Sequence, residues 1–113
     1  MATYTPKELY QNVVPNSLTS VLGPVTNKTI VKEIFLCNYT ASPVQISLAK
    51  LLNGETVPAD KNYIARDGSM IVAAHETKQI TLSLVIEAGG QLFIGADTAS
   101  AVAANVCGVE VTA

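Results

Sequence analysis

Lys78-Gln79-Ile80-Thr81-Leu82-Ser83-Leu84-Val85-Ile86-Glu87-Ala88 is the stretch that decides the fold. Ile80, Leu82, Leu84 and Ile86 recur at every second position, with Gln79, Thr81, Ser83 and Glu87 between them, which is the period of a strand. One face belongs to a core and the other mostly to solvent. Four branched aliphatics on one face need a second apolar layer opposite them, and a strand so placed is expected to have a partner on each edge. Leu82 is therefore expected to be buried.

Outward from this strand the same grammar continues. Gly89-Gly90 supplies a tight turn, and Leu92, Ile94 and Ala96 alternate with Phe93 and Gly95 as an antiparallel return. Asp97 to Ala104 is small and alanine-rich, a loop or one helical turn. Val106 to Thr112 closes the chain with Val109 and Val111 on the parity of Cys107, and Gly108 marks a bulge. On the other side, Ala74 to Thr77 links back to Tyr63-Ile64-Ala65 and Met70-Ile71-Val72, which flank Asp67-Gly68 and read as a short hairpin. Leu52 to Asn62 reads as a long surface connection carrying the Asn53-Gly54 turn.

Thr29 to Cys37 differs in kind, because both parities are apolar: Ile30, Ile34 and Leu36 against Val31, Phe35 and Cys37, broken only by Lys32 and Glu33. The expectation is a central strand covered on much of both faces. Asn38 to Pro43 has turn composition, and Val44, Ile46 and Leu48 then alternate with Gln45 and Ser47, so the two strands are expected to pair as a hairpin. Ser17 to Leu22 is a weaker strand stopped by Gly23-Pro24. Residues 1–16 are expected to be loosely ordered, with Leu9 to Val14 able to pair as an edge strand. The total is seven or eight strands with turn signals about every ten residues, an all-β, antiparallel β-sandwich, jelly-roll or immunoglobulin-like, in a single domain over 1–113.

Composition bounds the function. A chain of 113 residues buries enough surface for one core without a metal or disulfide. Hydrophobic residues make up 49% and charged residues 14%, the latter about half the usual share. That imbalance reads as two-sided strands or as surface that partners cover. A net charge of -2 leaves no basic footprint, so no nucleic-acid partner is expected. No charged leader precedes an apolar core and no 18-residue apolar run occurs, so no membrane partner is expected and synthesis is placed in the cytosol. Cys37 and Cys107 sit in apolar runs and read as buried reduced thiols, the alternative being a disulfide between neighbouring strands. The Asn27-Lys28-Thr29 and Asn38-Tyr39-Thr40 triplets read as turn residues.

Little of the sequence carries chemistry. His75 is the sole histidine, lies next to Glu76 between strands, and reads as an exposed turn residue; a triad or a metal site would have to be built on it alone. Asp60, Asp67, Glu87 and Asp97 are the candidates for a carboxylate pair, but turn aspartates are expected for backbone hydrogen bonding alone. No catalytic residue, metal ligand or cofactor is assigned. Tyr39 and Tyr63 lie beside loops and could form a small aromatic platform, while Leu9 and Tyr10 fall on the N-terminal edge. These four, with the segments Leu9 to Val14 and Leu52 to Asn62, are the expected interaction surface.

The run Thr29-Ile30-Val31-Lys32-Glu33-Ile34-Phe35-Leu36-Cys37-Asn38-Tyr39-Thr40, followed by Val44-Gln45-Ile46-Ser47-Leu48, resembles a pattern in small virion proteins of tailed bacteriophages, where an apolar strand ends in an Asn-containing turn and returns as an alternating strand. Ile80-Thr81-Leu82, Ala88-Gly89-Gly90-Gln91-Leu92 and Cys107-Gly108-Val109-Glu110-Val111 are similar to the closing strands of those modules. The resemblance spans roughly residues 17–111. It implies a non-enzymatic structural part of a tail, tail tip or adsorption apparatus, akin to the β-sandwich shoulder domains of siphophage receptor-binding proteins. It further implies docking onto other phage structural proteins, with passage from host cytoplasm to virion. No ligand-binding residue carries over. The chain lacks the collagen-like repeats and heptads that trimerise many fibres. It is therefore expected to be a monomer or weak homo-oligomer in isolation and not an obligatory trimer, a trimer within a virion being left open. A carbohydrate-binding or adhesion module is the alternative expectation.

Overall fold

The computed structural model describes residues 2–112. Nine strands run in order as β1 (Thr3–Val13), β2 (Thr19–Leu22), β3 (Lys28–Asn38), β4 (Val44–Leu51), β5 (Tyr63–Ala65), β6 (Ile71–Val72), β7 (Thr77–Ile86), β8 (Gln91–Ala96) and β9 (Val102–Thr112), with a single 3-10 turn at Asp60–Asn62. They form two antiparallel sheets, ordered β1-β9-β3-β7 and β2-β8-β4-β5, with β6 also on β4.

That order selects between the two expected sandwiches. Apart from β5 and β6, which stay beside β4, successive strands alternate between the sheets, so that β1, β3, β7 and β9 make one layer and β2, β4, β5, β6 and β8 the other, which is the interleaved pair of Greek keys of a jelly roll. The core lies between the layers. Val31, Ile34 and Leu36 of β3, with Val102, Ala104 and Val106 of β9, meet Val44, Ile46 and Leu48 of β4 and Leu92 and Ile94 of β8, all of them buried.

Three local expectations give way to this topology. β3 and β4 do not pair; the turn between them crosses from one sheet to the other, because their apolar parities face each other across the core. Asn38, fully buried, holds that crossing. Its amide donates to the carbonyls of Ser42 at 2.8 Å and Val72 at 3.0 Å, and its Oδ1 accepts from the Thr40 amide at 2.9 Å and the Thr40 hydroxyl at 2.7 Å. The Gly89-Gly90 turn likewise joins two sheets instead of closing a β7-β8 hairpin. β5 and β6 both run antiparallel to β4 and so cannot be a hairpin with one another; the turn Arg66–Ser69 is an excursion between two short pieces on the same edge.

The N-terminal segment, expected to be loosely ordered over 1–16, pairs with β9 from Thr3 to Val13. It is an edge strand, longer than the one expected at 9–14. β7 keeps the expected parity, but Ile80, Leu82 and Leu84 are only half-buried and Ile86 alone is fully so. The reason is position: β7 is an edge strand bonded to β3 only, and opposite it the second sheet tapers to β5 and β6. Lys50 reaches across this thinner side to the carbonyl of Val85 at 3.1 Å.

Candidate interaction surface

The two layers differ on their outer faces. On the β2-β8-β4 layer, Ala49 and Leu51 lie on the parity opposite Ile46 and Leu48 and outside the core cluster, yet both are fully buried. There the 52–62 connection folds back on the sheet, with Asn62 donating to the carbonyl of Lys50 at 2.9 Å. Glu55 fixes that connection, accepting from the Leu52 amide at 2.7 Å, from Asn62 at 3.0 Å and from Lys61 at 2.6 Å. Its hydrogen bond from Lys61, then those from Leu52 and Asn62, hold its carboxyl down at about 2.

The β1-β9-β3-β7 layer has no such cover. Its outward rows follow from the register: Tyr4, Val111 and Lys28 at one end, then Pro6, Val109, Ile30 and Val85, then Glu8, Cys107, Glu33 and Thr81. Beyond them come Gln11, Asn105, Phe35 and Gln79, and at the far end Val13, Ala103, Cys37 and Thr77. Tyr4 is 64% exposed, Val13 41% and Val85 37%, while Ile30, Phe35, Val109 and Val111 are partly exposed. The apolar second parity of β3, expected to be covered, is open at the surface. At the far end Val13, Phe35, Cys37 and Ala103 line an open groove of about 370 Å³, with Gln11 and Asn105 beside them.

Several polar side chains on this face are bonded within the chain, while Glu8 is exposed with no hydrogen-bond or ion-pair partner among the described residues. Gln79 donates to Glu33 at 2.7 Å, Lys32 donates to the Ser83 hydroxyl at 3.1 Å, and Lys28 pairs with Glu87 at 3.6 Å. The face thus presents two mainly apolar ends, one of them carrying Lys28, on either side of a polar middle. Exposed apolar rows on a folded domain make this face the candidate contact surface.

The expected surface residues do not converge. Leu9 is the extra residue of a bulge in β1 opposite Cys107 and Val106, and with Tyr10 it packs against the core. The Tyr10 hydroxyl donates to the Val13 carbonyl at 3.4 Å, and burial raises its pKa. Tyr39 is exposed in the turn before β4, whereas Tyr63 sits opposite Ala49 near the other end of that strand, so the two form no platform. The Tyr63 ring is covered by the Arg66 guanidinium, 4.1 Å from its centroid. Of the expected segments, the 52–62 connection does expose Leu52 and Val57.

The titratable groups are spent on structure. His75 is exposed in a turn at positive φ, its amide donating to the Thr40 carbonyl. Asp60 and Asp67 both accept from Arg66, Asp97 accepts from the Gln45 amide, and Glu87 pairs with Lys28. Among the described residues no three His, Cys, Asp or Glu side chains gather as a metal site.

Both cysteines depart from the expectation of burial: Cys37 is exposed and Cys107 partly so, and both are free. Cys107 sits opposite Glu33, four residues along β3 from Cys37, a separation of about 13 Å that no disulfide spans. The strand period could not assign them inward because both parities of β3 and β9 are apolar. The outer face itself was legible as that second apolar parity, although its openness was not.

The class this architecture defines is the antiparallel jelly-roll sandwich. No protein-family model, curated protein or solved structure matches the chain.

Proposed function

We propose that this chain is a non-enzymatic structural and interaction module of a tailed-phage virion, in the tail, tail tip or adsorption apparatus, made in the host cytoplasm and then built into the particle with other phage structural proteins. The observation that carries the reading is the outer face of β1-β9-β3-β7, where Tyr4, Val13 and Val85 are exposed and Val13, Phe35, Cys37 and Ala103 line an open groove. Jelly rolls serve capsid, lectin and cupin domains alike, so the choice rests on the surface and not on the topology. The resemblance of residues 17–111 to small virion proteins supplies the phage context.

A sugar-binding module would present open aromatic rings; here Tyr63 lies under Arg66 and Tyr39 stands apart from it. Immunoblotting of density-purified particles from the source phage tests the reading. The chain is expected in the particle at fixed stoichiometry, and its complete absence would overturn the assignment.

A further inference from the structure

We infer that the occupant of the open β1-β9-β3-β7 face is a second copy of this chain, packed face to face about a twofold axis that crosses the strands at Cys107. The inference rests on the proposed reading of that face as an interface and names its partner.

The register makes the face complementary to itself. Cys107 lies midway along the outward rows of β9: Val111, paired with Tyr4 and Lys28, is four residues to one side, and Ala103, paired with Val13 and Cys37, is four residues to the other. A twofold axis lying across the strands at Cys107 exchanges these two ends. It therefore sets the exposed Tyr4 of each copy over the groove that Val13, Phe35, Cys37 and Ala103 line in the other. A protruding ring and an apolar recess at equal distances from one centre, on one face, are what an isologous interface requires.

The apolar ends, and not the charged centre, carry this complementarity. Lys32 is the extra residue of a bulge in β3, adjacent in sequence to Glu33, which pairs with Cys107. On the axis Glu8, Cys107 and Glu33 each lie opposite their own counterpart, so the carboxylates meet in like pairs, with Lys32 of each copy the cation beside the Glu33 pair. The area is also sufficient. Four strands about 4.8 Å apart and about 11 residues long at about 3.3 Å each give a face near 700 Å², close to the roughly 800 Å² that each partner of a stable complex contributes. The paired sheets would lie about 10 Å apart, as stacked sheets do. The β7 edge and the 52–62 connection of each copy stay free for the rest of the particle.

Light scattering behind a sizing column, at micromolar concentration of the full chain, is expected to give a dimer. Val109→Lys, which puts a charge two residues from the axis, and Tyr4→Ala, which empties the groove, are each expected to shift it to monomer with an unchanged far-ultraviolet spectrum. A short bis-maleimide should cross-link the wild type and Cys37→Ser through Cys107, and should not cross-link Cys107→Ser. A stable trimer, or a dimer that Val109→Lys leaves intact and Cys107 does not cross-link, overturns the inference. A monomeric wild type also overturns it. In that case incorporation of Val109→Lys into particles separates the two levels: loss of incorporation retains the face as a docking surface for another protein, and normal incorporation removes that reading too.

Discussion

Gly108 of β9 lies directly against the carbonyl oxygen of Ile30 in β3, so close that a methyl group at position 108 would overlap it. The contact occurs where β1 and β3 each carry an extra residue, Leu9 and Lys32, on either side of β9. Two flanking bulges draw the neighbouring backbone over Gly108, and only a residue without a side chain fits. Gly108→Ala must push β3 away or distort the ladder. It is expected to lower stability by about 1–3 kcal/mol or more, as measured by urea unfolding, whereas a change below about 0.5 kcal/mol would show that the strands are not so closely set.

Burial ranks the core residues differently from periodicity alone. Leu36 is fully buried between the layers, Leu82 is half-buried on an edge strand, and Thr81 is exposed beside it. Leu36→Ala is expected to cost about 2–5 kcal/mol, Leu82→Ala about 1–2 kcal/mol, and Thr81→Ala under about 0.5 kcal/mol. Denaturant melts that put Leu82 level with Leu36 would mean that something covers the β7 edge.

Asn38 makes four hydrogen bonds at the crossing from β3 to β4 and links it to β6. Asn38→Ala removes the partners of two buried or part-buried carbonyls and an amide at once, and is expected to cost about 1–3 kcal/mol. Because Thr40 bonds the same side chain, the effects of Asn38→Ala and Thr40→Ala should be non-additive in a double-mutant cycle. Simple additivity would remove the network.

The parity of β7, the turn at Asn53-Gly54 and the all-β class were legible in the sequence because they depend on local spacing and turn chemistry. What was not legible is long-range. A turn such as 39–43 serves a hairpin or a crossing between layers equally well, and only the apposition of Ile34 and Leu36 with Ile46 and Leu48 decides it. Ile80, Leu82 and Leu84 carry a core pattern, but how far the opposite sheet reaches over them depends on the brevity of β5 and β6. In β3, two apolar parities announced two apolar faces without saying that one of them is open at the surface.

The 52–62 connection should respond to acid. The Glu55 carboxyl has a folded-state pKa of about 2 against an ordinary value of 4.5, chiefly through its hydrogen bond from Lys61. A depressed folded-state pKa means that its stabilising contribution is complete above about 4.5 and is lost as pH falls towards 2. The protection of the Leu52 amide from hydrogen exchange, taken relative to its intrinsic rate, should therefore fall across that window, and Glu55→Gln should show low protection already at neutral pH. An acid response that persists in Glu55→Gln would assign the effect to another group.

The central claim, that the outer face of β1-β9-β3-β7 is covered when the chain works, is tested most directly at Cys37, which is exposed in the groove of that face. The measurement is the rate of maleimide labelling of Cys37 in a Cys107→Ser background, compared between the diluted free chain and purified particles. The account predicts rapid labelling of the free chain and strong protection in the particle, with denaturation restoring the signal. Equal labelling in both would contradict it, because the face would then be as open in the particle as it is on the isolated domain.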